Sequence, residues 1–308
     1  MNWDSPYIAE AVRRALDEDI GPGDASTEAT VPNVATAKAR IIAREALVCA
    51  GLPVAAKVFG ALDPEMRFEA CVRDGDRVQK GRELMRLAGN ARAILTGERT
   101  ALNFLARLSG IATLTAAFAE QLKGTKAKIR DTRKTTPGLR ALEKYAVKTG
   151  GGTNHRMGLY DAILLKENHI ALAGGVKQAL DQAHAYAASH AIPRTISAYE
   201  EAGAPPKDRR AALPVQIEVR NEAELREALE AGAESVLLDN VTPAGARHSI
   251  ELVRTIRRDC IVEISGGITL ENARAYAETG PDYLSSGMLT HSAAAANVSL
   301  LVDNIEDK

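Results

Sequence analysis

The sequence is poor in aromatic side chains. One Trp, seven Tyr and four Phe are spread over 308 residues. A chain that grips single-stranded nucleic acid usually interleaves aromatics with basic residues so that bases can stack on them, so no nucleic-acid partner is expected. Cysteine is scarce as well. Cys49, Cys71 and Cys260 are far apart and odd in number, which gives neither metal spacing nor a disulfide framework. Buried or inert thiols in a reducing compartment are expected. MNWDSPYIAEAVRRALDEDI has no basic start running into an apolar stretch, so no signal peptide is expected. No apolar run approaches the roughly 18 residues needed to cross a bilayer. No membrane partner is expected, and the cytoplasm is the expected location.

What is present is a globular composition, 45% hydrophobic and 26% charged. The length allows one large domain or two ordinary ones. The formal charge of -1 hides a split: residues 92–166 carry 14 Lys/Arg against 5 Asp/Glu, and the remainder is correspondingly acidic.

Residues 5–19 read as an amphipathic helix with Ile8, Val12 and Leu16 on one face, capped by Ser5 and ended by GPGD. Short alternating runs up to residue 90 suggest a small, mostly antiparallel sheet. GERTALNFLARLSGIATLTAAFAEQL at 97–122 reads as a long helical stretch broken near Gly110. From residue 124 the pattern changes to six strand-plus-helix units: KAKIRDT, YDAILLKEN, VQIEV, SVLLDN, IVEISGG and DYLSSG are the strands. Such a series argues for parallel strands with crossover helices, as an α/β barrel or a doubly wound sheet. Nearly every strand ends in a polar residue or glycine, and in a barrel those ends converge on one mouth where the active site lies. That favours the barrel.

The mouth would hold Arg133, Lys134 and Lys166, with His155 and Arg156 from the loop GGGTNHRMG, facing the carboxylates Glu218 and Asp239. Such a basic cluster suits a multiply anionic small molecule. Arg107 and Arg140 read as ordinary surface ion-pair residues. Gly266, Gly267 and Gly287 after the last two strands let a backbone approach a ligand, each before a segment that can start a phosphate-binding helix. The glycines at 150–152 match no nucleotide-loop pattern. His155 has no second His or Cys at metal-ligand spacing, and His169 is placed to buttress Lys166.

GERTALNFL, DTRKTTPGLR, GGTNHRMGLYDAILLKENH, IEV, LLDN, ISGGI, YLSSGMLTHS and the early EDIGPGD together resemble the quinolinate phosphoribosyltransferase family, the carboxylating nicotinate-nucleotide pyrophosphorylases. A molybdenum-linked paralogue group shares some of these motifs. The resemblance implies an N-terminal open α/β sandwich over 1–112, onto which 289–308 packs back, and an incomplete (β/α) barrel over 113–288. It implies that quinolinate and phosphoribosyl pyrophosphate, with Mg2+ and no organic cofactor, give nicotinate mononucleotide, pyrophosphate and carbon dioxide. Carried over, Arg99, Thr132, Arg133, Lys134, His155, Arg156 and Lys166 line the quinolinate pocket. Glu218 and Asp239 meet the ribose hydroxyls directly or through Mg2+. Ser265, Gly266, Gly267, Ser286 and Gly287 hold phosphate. Lys134 and Lys166 are the candidate proton donors after decarboxylation. A homodimer or larger assembly is implied, with Arg99 reaching the neighbour's pocket. The alternatives are a phosphoribosyltransferase for another acid and a non-catalytic anion-binding protein. One stretch, 175–217, departs from the family pattern by its length and is read as a surface excursion, with a lid or an added subunit contact as the alternative.

Overall fold

The first helix runs Pro6–Ile20, with Pro in its first turn and Gly21 ending it in the left-handed region at φ 53°. Its buried face is Ile8, Val12 and Leu16, as the apolar spacing predicts. The computed structural model describes residues 1–190, 192–193, 210–211 and 213–306, with backbone alone for 192–193, 210–211 and 304–306. The middle of the long stretch 175–217, including Pro205, Pro206 and Arg209, lies outside the described residues. Its start is the helix Val176–Ser189.

Two compact units emerge: Met1–Ala116 with Thr136–Gly151 and Ser292–Lys308, and Ala117–Thr135 with Gly152–His291. The first contains a four-stranded antiparallel sheet in the order Val298–Glu306, Thr36–Ala43, Glu83–Asn90, Arg67–Ala70. Along Thr36–Ala43, Ala37, Ala39 and Ile41 are buried while Lys38 is exposed, the alternation of a sheet with one covered face.

The long helix spans Ala91–Gln121 without a break, which corrects the expected interruption at Gly110. Gly110 serves packing instead: a Cβ there would sit 1.9 Å from the Ala294 carbonyl oxygen, so only glycine admits the returning C-terminal strand of chain, whose Ala296 N–H donates to the Ala106 carbonyl at 2.9 Å. By length and composition alone this helix would pass as a membrane span, but 67% of the relevant stretch is buried inside the protein. It is a core helix.

Apart from shifts of three or four residues at the two junctions, these units differ from the expected boundaries at one internal segment: helix Arg140–Thr149 belongs to the first unit and not to the barrel. The reason is a polar core. Glu143 is fully buried and takes two hydrogen bonds from Arg107 at 2.8 and 3.1 Å and two from Thr136. Tyr145 donates to Asp74 at 2.7 Å and packs edge-on against Trp3. Arg107 is therefore the partner of a buried carboxylate and not a surface residue.

All six expected strands appear in the second unit as one parallel sheet. Its order is Lys128–Arg130, Tyr283–Ser285, Ile261–Ser265, Ser235–Asp239, Val215–Val219, Ile163–Leu165. Successive strands lie side by side with no reversal, which excludes the doubly wound order. The two edge strands are the first and second in sequence, so the order is that of a barrel with one seam unpaired. The chain between those two edge strands contains helix Arg140–Thr149, which belongs to the first unit.

Candidate active site

Period-two geometry puts alternate strand residues on one face, and the C-terminal ends of the six strands open into a cavity of about 570 Å³. Thr132, Arg133, Lys134, His155, Arg156, Lys166, Glu218, Asp239, Ser265, Gly266, Gly267, Ser286 and Gly287 all line it. Of the residues expected at the site, only Arg99 is not among them; it lies in the helix Ala91–Gln121.

The basic wall is built by short-range bonds. Thr132 Oγ1 accepts from the Lys134 N–H at 3.0 Å, and Thr290 donates to the Lys134 carbonyl at 2.8 Å. His155 is tied by its N–H to the buried Asp131 at 2.8 Å. Lys166 precedes helix Glu167–Ala173, and its N–H donates to His169 Nδ1 at 3.0 Å. That confirms His169 as a local buttress.

Arg156 is the most informative cation. Its Nη1 donates to the Ala162 carbonyl at 3.0 Å, while its Nε is buried with no hydrogen-bond partner. The nearby carboxylate of Asp161 is occupied by the N–H groups of Met157 and Gly158. Burial, and then the charge of Arg133, push the Arg156 guanidinium below its ordinary pKa. A half-buried guanidinium with an unused donor, beside a second guanidinium, is a site prepared for an anion.

Opposite stand the two carboxylates on neighbouring strands. Glu218 is pushed above the usual carboxylate range, first by burial; Lys166, 3.2 Å away, opposes the shift and Asp239 adds to it. Asn240 Nδ2 donates to Asp239 at 2.6 Å. Asn240 is the one described non-glycine residue with positive φ, 53°, and its side chain leaves room only for glycine at 266: a Cβ there would meet Asn240 Oδ1 at 2.2 Å, and Gly266 itself has φ 91°. Ser286 is buried and its hydroxyl donates to the Ile268 carbonyl at 2.8 Å. The helix expected directly after SGG starts only at Ala273 and has five residues, so the glycine turn itself, not a helix N-terminus, faces the cavity there.

Sequence reasoning missed several polar contributors to this cavity or its base, among them Glu263, Gln216, Ser285, Asn240, His291 and Arg130. Glu263 and His291 line it. Glu263 is fully buried and pairs with Arg130 at 2.8 Å. The signal was available: a lone Glu in the apolar strand IVEIS, two residues before Ser265, and a Gln two residues before Glu218, share the faces of the residues that were recognised.

A model of the quinolinate phosphoribosyl transferase N-terminal domain matches residues 24–109, and that of the C-terminal domain matches 111–207 and 204–301. The chain belongs to the quinolinate phosphoribosyltransferase family. The two C-terminal pieces meet inside the long 175–217 stretch. The chain is 42% identical over 297 residues to the carboxylating nicotinate-nucleotide pyrophosphorylase of Mycobacterium leprae, covering 94% of this chain and 95% of that one. It is 40% identical to a probable enzyme of the same name from Bacillus subtilis, covering 92% and 89%. Among solved structures of the family, the nicotinate-nucleotide pyrophosphorylase from Francisella tularensis is similar with a TM-score of 0.84 at 35% identity, covering 96% of each chain. The mixed α/β fold with an unclosed parallel barrel is thus the family's.

Proposed function

We propose that this protein transfers the phosphoribosyl group of phosphoribosyl pyrophosphate to quinolinate and releases nicotinate mononucleotide, pyrophosphate and carbon dioxide, a step of NAD biosynthesis. The observation that carries the reading is Arg156, a half-buried guanidinium with an unbonded Nε, set beside Arg133 in a cavity that also presents Lys134 and Lys166. Membership of the family and the names of its relatives support the same substrate.

Arg133 and Arg156 would fork the two ring carboxylates, with Thr132, His155 and the two lysines completing the pocket. Held there, the pyridine nitrogen attacks the anomeric carbon of the ribose as the bond to pyrophosphate breaks. Positive charge develops on the ribose, where Glu218 and Asp239 favour it. The new pyridinium withdraws electrons, so the carboxylate beside the nitrogen departs as carbon dioxide. The electron pair left on that carbon takes a proton, for which the ammonium groups of Lys134 and Lys166 are the candidates. Ser265, Gly266, Gly267, Ser286 and Gly287 would receive phosphate oxygens. The protein's contribution is mostly orientation and charge, since decarboxylation draws on the substrate's own chemistry.

Among the described residues no group of three or more His, Cys, Asp or Glu could hold a metal by itself. Glu218 and Asp239, on paired strands and coupled in charge, fit an ion that takes one or two carboxylates and completes its shell with substrate phosphates. They would hold Mg2+, which when bound supplies charge neutralisation at the departing pyrophosphate. Arg99, outside this cavity, would serve the site of a second copy in a homodimer. The three unpaired cysteines suit a cytoplasmic setting.

The test offers quinolinate and nicotinate in parallel with phosphoribosyl pyrophosphate and Mg2+. Nicotinate mononucleotide from quinolinate alone is the expected result. Turnover of nicotinate in preference to quinolinate would refute the reading, since Arg133 and Arg156 would then lack their second carboxylate.

A further inference from the structure

The mechanism above leaves unused a fully buried carboxylate at the base of the cavity. Glu263 sits mid-strand in Ile261–Ser265 and has four polar neighbours: Ser285 from the adjacent strand, Arg130 and Gln216 from strands two positions away on either side, and His155 from the 153–156 loop. Arg130 Nη1 is at 2.8 Å, Gln216 Nε2 at 3.0 Å, the Ser285 hydroxyl donates to it, and His155 Nε2 is at 3.6 Å. Arg130 in turn lies over the ring of Tyr283, 3.4 Å from its centroid. Each of these strand residues is one alternation deeper than a residue at the mouth: Gln216 below Glu218, Glu263 below Ser265, Ser285 below Gly287.

The donor and acceptor roles in this layer determine one another. As the ion-pair partner of Arg130, Glu263 only accepts. The Gln216 amide must therefore turn its NH2 to Glu263, which leaves its Oε1 facing His155 Nε2 at 3.2 Å. An acceptor facing that nitrogen requires the proton to be on Nε2. The other ring nitrogen, Nδ1, is then free of a proton, and it accepts the Arg156 backbone N–H at 2.7 Å. The chain of bonds runs from a buried charge to the backbone of the cation that carries the substrate reading.

We propose that Glu263 and Gln216 are positioning residues for the anion site: they fix His155 as its Nε2–H tautomer, and His155 acts as a strut that sets the Arg156 backbone. The link to the substrate rests on the reading of this cavity as the quinolinate site; the strut geometry does not. His155 thereby has a role different from that of a charged donor to the substrate carboxylate.

The experiment uses full-length protein labelled with 15N-histidine, in which long-range proton–nitrogen correlations report the protonation of each imidazole, with the His155 signals identified by their loss in His155→Gln. Free wild-type protein should show His155 as the Nε2–H tautomer. Gln216→Met keeps the volume and removes the acceptor; His155 should then no longer show a single tautomer. The KM for quinolinate should rise roughly 3- to 10-fold, the worth of one neutral hydrogen bond, with the KM for phosphoribosyl pyrophosphate and kcat unchanged. An Nδ1–H or doubly protonated ring in the wild type would overturn the proposal. So would a Gln216→Met protein whose tautomer is unaltered, or one in which both KM values rise together. The ring spectrum needs no substrate: a wild type that shows the expected tautomer yet fails to turn over quinolinate would overturn the substrate reading while upholding the strut.

Discussion

Two partly buried arginines, Arg130 at the base of the cavity and Arg156 in its wall, should respond to truncation in opposite ways. Arg130 is paired with Glu263, which is 0% exposed. Arg130→Ala strands that carboxylate, and breaking a buried pair costs about 3–5 kcal/mol; since the Arg130 side chain is itself 18% exposed, the lower end is expected. At roughly 2–4 °C per kcal/mol for a unit of this size, the melting temperature should fall by about 6–12 °C. Among the described residues Arg156 has no carboxylate in ion-pair contact; Asp161 acts on it only at longer range. Arg156→Ala loses one bond to the Ala162 carbonyl, about 1.5 kcal/mol, and removes a buried unbonded Nε whose desolvation costs about 1–3 kcal/mol. These nearly cancel, so the free protein should melt within about 3 °C of wild type. Binding should show the converse. Losing a charge-assisted bond of about 1.5–3 kcal/mol weakens quinolinate roughly 10- to 150-fold in the Arg156 variant. Thermal denaturation of the free proteins and calorimetric titration of quinolinate measure both quantities. The reasoning is refuted if Arg156→Ala destabilises the free protein as much as Arg130→Ala does and leaves quinolinate affinity intact.

Arg133→Ala should weaken quinolinate at least about 10-fold and phosphoribosyl pyrophosphate far less; equal losses in titrations of both ligands would contradict the pocket assignment. Gly110→Ala places a Cβ 1.9 Å from the Ala294 carbonyl oxygen and should destabilise the protein by at least about 2 kcal/mol in denaturant unfolding, with an unaltered midpoint counting against the packing role. Mixing inactive Arg99→Ala and Lys166→Ala proteins should restore roughly a quarter of wild-type activity, because half of random dimers are mixed and each has one intact site; no recovery would argue against sharing of Arg99. Asp282 is held below the ordinary aspartate range: burial opposes this, but the Val262 N–H, Arg254 and Lys126 outweigh it. A depressed carboxylate contributes stability above its unfolded pKa and loses it as pH falls through the folded one. The stability gap between wild type and Asp282→Asn should therefore be full near neutrality and close below about pH 4; a gap that is constant with pH would exclude this linkage.

The strands were legible because period and length are local properties. AILL, VLL and IV have no alternation, as both faces are covered, and their polar endings marked one end of the sheet. The mouth residues were legible for the same reason. What the sequence hid was partnership. Glu143 and Arg107 are 36 residues apart, and nothing local marks them as partners; that pairing ties helix Arg140–Thr149 to the long helix of the first unit. Glu263 hid in the middle of an apolar strand, where a charge is tolerable only through Arg130, more than a hundred residues earlier. Gly110 looked like a helix breaker because the chain that packs against it returns from position 294.

The central claim is tested most directly by stoichiometry. Quinolinate labelled in the carboxylate beside the nitrogen is incubated with this protein, phosphoribosyl pyrophosphate and Mg2+, and labelled carbon dioxide, nicotinate mononucleotide and pyrophosphate are counted. Equal amounts of all three, with no carbon dioxide when phosphoribosyl pyrophosphate is withheld, are predicted. Pyrophosphate release without labelled carbon dioxide would contradict the account.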